Sequence, residues 1–213
     1  MQRGIFQPDY VLLDAARLGD ELDAVLESNK NHVNLYQGSS ALTLSRYAPY
    51  LFLYEEDSAF SSKILKEGWG QSWGIMVNAA QPQQVLRAHF RKFLIVLNHK
   101  MEELYFRFYD PRVLRVFLPT CDGDQLKEFF GPVRQFTCED KDPDYALLFS
   151  LEDGALITER KRFIDLFSKP VKKEVWVSKT LEFELAEQDN TSSTSQYSYN
   201  SETAKRAPRR YFD

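Results

Sequence analysis

The segment Leu104-Tyr-Phe-Arg-Phe-Tyr-Asp-Pro-Arg-Val-Leu-Arg-Val-Phe-Leu118 constrains the fold more than any other part of the chain. Leu104, Phe106 and Phe108 alternate with Tyr105, Arg107 and Tyr109, the period-two pattern of a pleated strand. Asp110-Pro111 then supplies a helix start. The carboxylate accepts from free first-turn N–H groups, and the proline ring fixes φ where no donor is needed. Val113, Leu114, Phe117 and Leu118 continue along one helical face. A strand passing directly into a helix implies alternating elements. Arg107, Asp110 and Arg112 are crowded at this corner among five aromatic rings.

The rest of the chain repeats that alternation. Tyr10 to Asp14 reads as a buried strand, and Leu22, Val25 and Leu26 mark a helix capped by Asp20. Tyr50 to Tyr54 forms a second strand, and Ser58 to Glu67 a helix capped by Ser58 and ended at Gly68. Gly68-Trp-Gly-Gln-Ser-Trp-Gly74 leads into a strand over 75–77. Gln81-Pro82 opens a helix with Val85, Leu86, His89, Phe90, Phe93, Leu94 and Leu97 on one stripe. A short helix spans 123–130. Asp153-Gly154 marks a hairpin between residues 145–152 and 155–158, and Thr158 reads as the cap of the next helix. A further strand pair is expected at Val175 to Val177 and around Leu181, Phe183 and Leu185. Helix-containing connections favour parallel strand pairs, so the expected fold is α/β: a mixed, mainly parallel sheet flanked by helices.

Three regions follow from this pattern. Residues 1–150 form the α/β domain, and residues 151–185 a small α+β extension. Residues 186–213 form a flexible polar tail. Residues 186–204 contain no Leu, Ile, Val, Met, Phe or Trp, too little apolar surface to order alone. The tail ends in the basic and aromatic cluster Arg209, Arg210, Tyr211 and Phe212.

Composition excludes several function classes. The net charge of −4 is unlike the basic footprint of a nucleic-acid binder. No run approaches the roughly 20 apolar residues of a membrane helix, and the start lacks a signal peptide's apolar core. A cytoplasmic protein with no membrane partner is expected. Cys121 and Cys138 are then free thiols. His32, His89 and His99 are scattered, without zinc-ligand spacing. No metal and no cofactor are expected.

The candidate site residues each admit a structural reading. Arg107, Asp110 and Arg112 read as an anion site at a helix start, or as a capped corner in which an arginine pairs with the aspartate. The second reading is favoured because capping alone explains Asp110-Pro111. Asp14, at a strand end, reads as a cap for the following segment, although α/β sheets gather ligands at such ends. Trp69 and Trp73 read equally as a recognition surface or as rings covering the sheet edge. His89 reads as a core-edge histidine. The acidic groups 55–57 and 139–142 read as solvated loops.

Several of these motifs occur together in one order and spacing: Leu12-Leu-Asp-Ala15, Pro49-Tyr50, Gly68-Trp-Gly, Ser72-Trp-Gly-Ile75, Phe106-Arg-Phe-Tyr-Asp-Pro-Arg-Val-Leu114, Leu118-Pro119 and Phe129-Phe-Gly-Pro132. From about residue 9 to about residue 150 the chain resembles the type VI secretion effector chaperones, also called VgrG adaptor proteins. The resemblance implies a cytoplasmic, non-enzymatic bacterial protein that binds a toxic effector and helps load it onto the VgrG spike. Trp69, Trp73, Arg107, Asp110 and Arg112 match the family's motif positions, and partner contacts are expected through Trp69, Trp73, Arg107 and Arg112. Separately from the resemblance, Arg209, Arg210, Tyr211 and Phe212 of the tail are expected to order on a partner. Family members often carry a longer helical lobe after the shared domain, where this chain is short and partly strand-like. The competing expectation is a small-molecule or phosphate-handling enzyme with an anion pocket at Asp14, Arg107 and Arg112.

Overall fold

The computed structural model describes residues 6–97 and 100–167, which lie within one compact unit. The expected strand pair over 175–185, the tail, and Arg209, Arg210, Tyr211 and Phe212 lie outside the described residues.

In chain order the elements are β1 (Tyr10–Asp14), α1 (Ala15–Leu18), α2 (Leu22–Ser28), β2 (His32–Asn34), α3 (Ser39–Thr43) and β3 (Pro49–Leu53). They continue with α4 (Ala59–Lys63), β4 (Gly74–Asn78), α5 (Gln83–Arg91), β5 (Ile95–Leu97) and β6 (Glu103–Tyr105). The last are α6 (Pro111–Phe117), α7 (Gly123–Phe130), β7 (Gln135–Glu139), β8 (Tyr145–Glu152), β9 (Ala155–Arg162) and α8 (Phe163–Phe167). A π-helical turn, Ile64–Gly68, extends α4.

Among the described residues seven strands form one sheet in the order β2-β3-β1-β4-β7-β8-β9, and every ladder in it is antiparallel. The expectation of a mainly parallel sheet is therefore corrected. Its physical reason is instructive. β3 and β4, joined through α4, do run the same way, because each is antiparallel to β1. β1 and β2, joined through α1 and α2, also run the same way, because each is antiparallel to β3. Each of these two crossovers is split by an inserted antiparallel strand, while β2 and β3, joined through α3, and β4 and β7, joined through α5, α6 and α7, pair directly as antiparallel neighbours.

Helices cover both faces. On one side Leu12, Leu51, Ile75, Val77 and Phe136 pack against Leu86 and Phe90 of α5, Leu114 of α6, and Leu126, Phe129 and Phe130 of α7. On the other, Val11, Leu13, Tyr50, Phe52 and Met76 pack against Leu18, Leu22, Val25 and Phe60. β1 is buried along its whole length. Burial on both faces removes the polar-out alternation that usually marks antiparallel strands. No helix among the described residues is long and apolar enough to cross a membrane.

Several local expectations hold. Ser58 caps α4 in a reciprocal capping box with Ser61, and α5 begins after Pro82. Asp153 and Gly154 both take positive φ between β8 and β9, as a tight hairpin turn requires. Others do not. Regular strand stops at Tyr105, and Phe108 and Tyr109 are both buried, so the apparent alternation over 104–109 is a strand followed by a turn. Thr158 sits inside β9 rather than capping a helix, and α8 begins at Phe163. Residue 150 itself lies within β8, which pairs with β7 and β9.

Candidate functional site

The informative residues gather at one end of the sheet, where β1 and β7 finish and β3 and β4 begin. Asp14 closes β1 and caps α1, accepting from the backbone N–H of Ala16 at 3.0 Å. Its side chain is fully buried. Arg107 reaches it from the far side of the chain: Nε donates to Oδ2 at 3.0 Å, and Nη2 donates to the same oxygen. Burial pushes the Asp14 carboxyl above its usual range, against the opposing pull of Arg107 and the Ala16 N–H. Arg107 is held as the cation by Asp14 despite partial burial.

A second pair repeats the design, with Asp110 three and Arg112 five residues after Arg107. Asp110 caps α6, accepting from the Arg112 backbone N–H at 2.9 Å. Arg112 folds back over it, with Nε at 3.0 Å from Oδ1 and Nη2 at 2.6 Å from Oδ2. Burial works against the charge on Asp110, but the Arg112 bonds outweigh it and hold the carboxyl below the usual range. Tyr109 lies beneath, buried, and hydrogen-bonds Tyr36; burial pushes its hydroxyl far up. The next ring, Phe108, is seated in the core, 5.7 Å from the Phe90 ring and 5.5 Å from that of Phe129. The Phe-Arg-Phe-Tyr-Asp-Pro-Arg segment thus drives rings inward while its two arginines close over two buried caps.

The third component is the tryptophan loop. Glu139, at the end of β7, is buried and accepts from Gly70 N–H at 2.6 Å, Ser72 N–H at 3.1 Å and Ser72 Oγ at 2.9 Å. The expectation that Glu139 belongs to a solvated loop is corrected: its carboxylate is the clip that shapes residues 70–72. Trp73 lies in the core, 8% exposed, and its ring leaves no room for a side chain on Gly68, where an added Cβ would fall 2.5 Å from Cε3. Trp69 is half-buried, donates to the Pro143 carbonyl at 2.7 Å and packs on Phe163 with ring centres 4.7 Å apart. Arg17 and Arg115 donate to the carbonyls of Gln71 and Glu139, at 2.8 Å and 3.0 Å.

Asp14 with Arg107 and Asp110 with Arg112 thus form two pairs, and the Asp14 backbone N–H donates to the Trp73 carbonyl at 2.8 Å, whereas Trp69 packs on Phe163 and Phe167. The geometry bears on the anion pocket. Both guanidinium groups already face a carboxylate, so an incoming anion would meet charges balanced by Asp14 and Asp110. What remains at the surface is the outer part of each arginine, 40% and 51% exposed, and one edge of Trp69. Glu139 escaped the sequence reading because it is followed by Asp140, Lys141 and Asp142, a charged context that masks one buried carboxylate. The alternation of Phe136 and Cys138 with polar neighbours was the available signal for its strand.

Residues 10–128 match the family described as Domain of unknown function (DUF4123). The chain belongs to the DUF4123 family. That family is associated with type VI secretion chaperone and adaptor roles. No curated protein and no solved structure matches the chain. The matched DUF4123 region begins with β1 and ends in α7, and so contains both caps and both arginines. β7 and β8 lie beyond it, and with them Glu139 and Pro143, which tie down the tryptophan loop of this DUF4123 chain.

Proposed function

We propose that this chain is a cytoplasmic adaptor that holds a type VI secretion effector and helps load it onto the VgrG spike, with no catalysis of its own. The DUF4123 match over 10–128 carries the reading. The site agrees with it. An adaptor needs a rigid surface, and the corner spends its charged groups on holding β1, α1 and α6 together. The outer edges of Arg107, Arg112 and Trp69 are available for a partner, and the terminal cluster of Arg209, Arg210, Tyr211 and Phe212 is assigned to the same contact.

Co-expression with the toxin encoded beside the gene tests the proposal. A stable complex of the two chains, recruiting VgrG when it is added, is the expected result. Failure of the purified chains to associate would remove the adaptor reading. The same preparation tests the anion-pocket alternative: a large rise in Tm with phosphate or a nucleotide would favour an enzyme, since a ligand selective for the native state stabilises it by mass action.

A further inference from the structure

Among the described residues the ribbon formed by β5 and β6 exposes apolar side chains on both faces, with Glu103, opposite Leu97, as the charged residue of its strands. Ile95 lies opposite Tyr105 and Val96 opposite Leu104. Opposed residues share a face and successive residues alternate, so Ile95 and Tyr105 mark one face while Val96 and Leu104 mark the other. Their exposures are 48%, 67%, 36% and 48%, and Met101 beside them is 73% exposed. Among the described residues the ribbon pairs with no further strand. A two-stranded ribbon is marginal in water by itself, and contiguous exposed apolar surface marks a contact site. Its base is nonetheless well held: the Phe106 N–H donates to the Leu94 carbonyl at 2.9 Å, and the Phe106 ring packs 4.7 Å from that of Phe117.

We infer that the β5–β6 ribbon inserts into an apolar cleft of the carried effector, which covers both of its faces at once. This rests on the adaptor reading above. The area argues against a second copy of the chain as occupant. The five exposed side chains present roughly 600 Å² in all, against roughly 800 Å² per partner in a standard stable interface. A two-fold contact sets the same patch of each copy against itself, so it would bury one face, less than half of that area, and leave the other wet. A concave partner reaches both faces and the polar rim around them.

The experiment uses the full chain and the toxin encoded beside its gene. One variant carries Ile95→Ser with Tyr105→Ser, the other Val96→Ser with Leu104→Ser. Each pair is expected to weaken the complex at least tenfold with an unchanged Tm for the free chain. Binding of the wild-type chain should slow amide exchange over 95–97 and 103–105 at least tenfold. Wild-type affinity in either variant would overturn the two-faced insertion while leaving the adaptor reading intact. A concentration-dependent dimer abolished by these substitutions would assign the ribbon to a second copy instead. A wild-type chain that binds no toxin would overturn the adaptor reading and the ribbon's role with it.

Discussion

Arg107 donates to Asp14 across 93 positions of sequence, joining the end of β1 to the turn before α6. The carboxylate is fully buried and the guanidinium is partly exposed. Removing the cation should therefore cost more than the bond itself, because it strands a buried charge. Arg107→Ala is expected to destabilise the fold by about 2–4 kcal/mol, and the double variant with Asp14→Asn by less than the sum. Chemical denaturation of the four proteins in this cycle provides the check, and strict additivity would contradict the pairing.

Asp110 has two jobs that can be separated. Asp110→Ala removes the cap of α6 and should cost about 1–2 kcal/mol. Asp110→Asn keeps an acceptor for the Arg112 N–H and loses only the ion pair with a half-exposed arginine, worth about 1 kcal/mol or less. Equal losses in the two variants would show that capping is not what Asp110 contributes.

Capping was legible in the sequence because its chemistry is local: Ser58, Asp110 and the Asp153-Gly154 turn act within a few residues of themselves. Strand order was not legible. Nothing in residues 10–14 or 49–53 records that β1 lies between β3 and β4, and the helical connections point toward parallel neighbours. The site was legible as a set of residues and not as a set of pairs. Arg107 stands nearer in sequence to Asp110, yet its carboxylate partner is Asp14. Glu139 was misplaced for the same reason, since its partners Gly70 and Ser72 lie 69 and 67 positions away.

Glu139 should govern the tryptophan loop. Glu139→Ala leaves the Ser72 N–H buried without an acceptor and is expected to cost about 2–3 kcal/mol. The change should also speed amide exchange over residues 70–73 and shift tryptophan fluorescence to the red. An unaltered loop in this variant would mean that Trp69 and Trp73 are held by packing alone.

The pH dependence of stability has opposite signs at different groups. His89 is buried, its Nε2 donates to the Phe129 carbonyl at 2.8 Å, and burial lowers its pKa below 6.5. A lowered folded-state pKa means that the unfolded chain takes the proton first, so stability is lost as pH falls below 6.5. Asp110, also lowered, adds a further loss below the usual carboxylate value of 3.8. Asp14 is raised, so its contribution is present below 3.8 and fades as pH rises through its folded-state value. Without Arg107 that carboxyl should climb further. Arg107→Gln is therefore expected to lose more stability than wild type between pH 4 and 7, as measured by denaturation at a series of pH values. His89→Gln should flatten the wild-type slope just below pH 6.5.

The most direct measurement of the adaptor role is export of the neighbouring toxin from cells that lack this gene. The toxin should accumulate inside the cell while VgrG still appears in the medium, and the wild-type gene should restore export. Undiminished toxin export from the deletion strain would contradict that role.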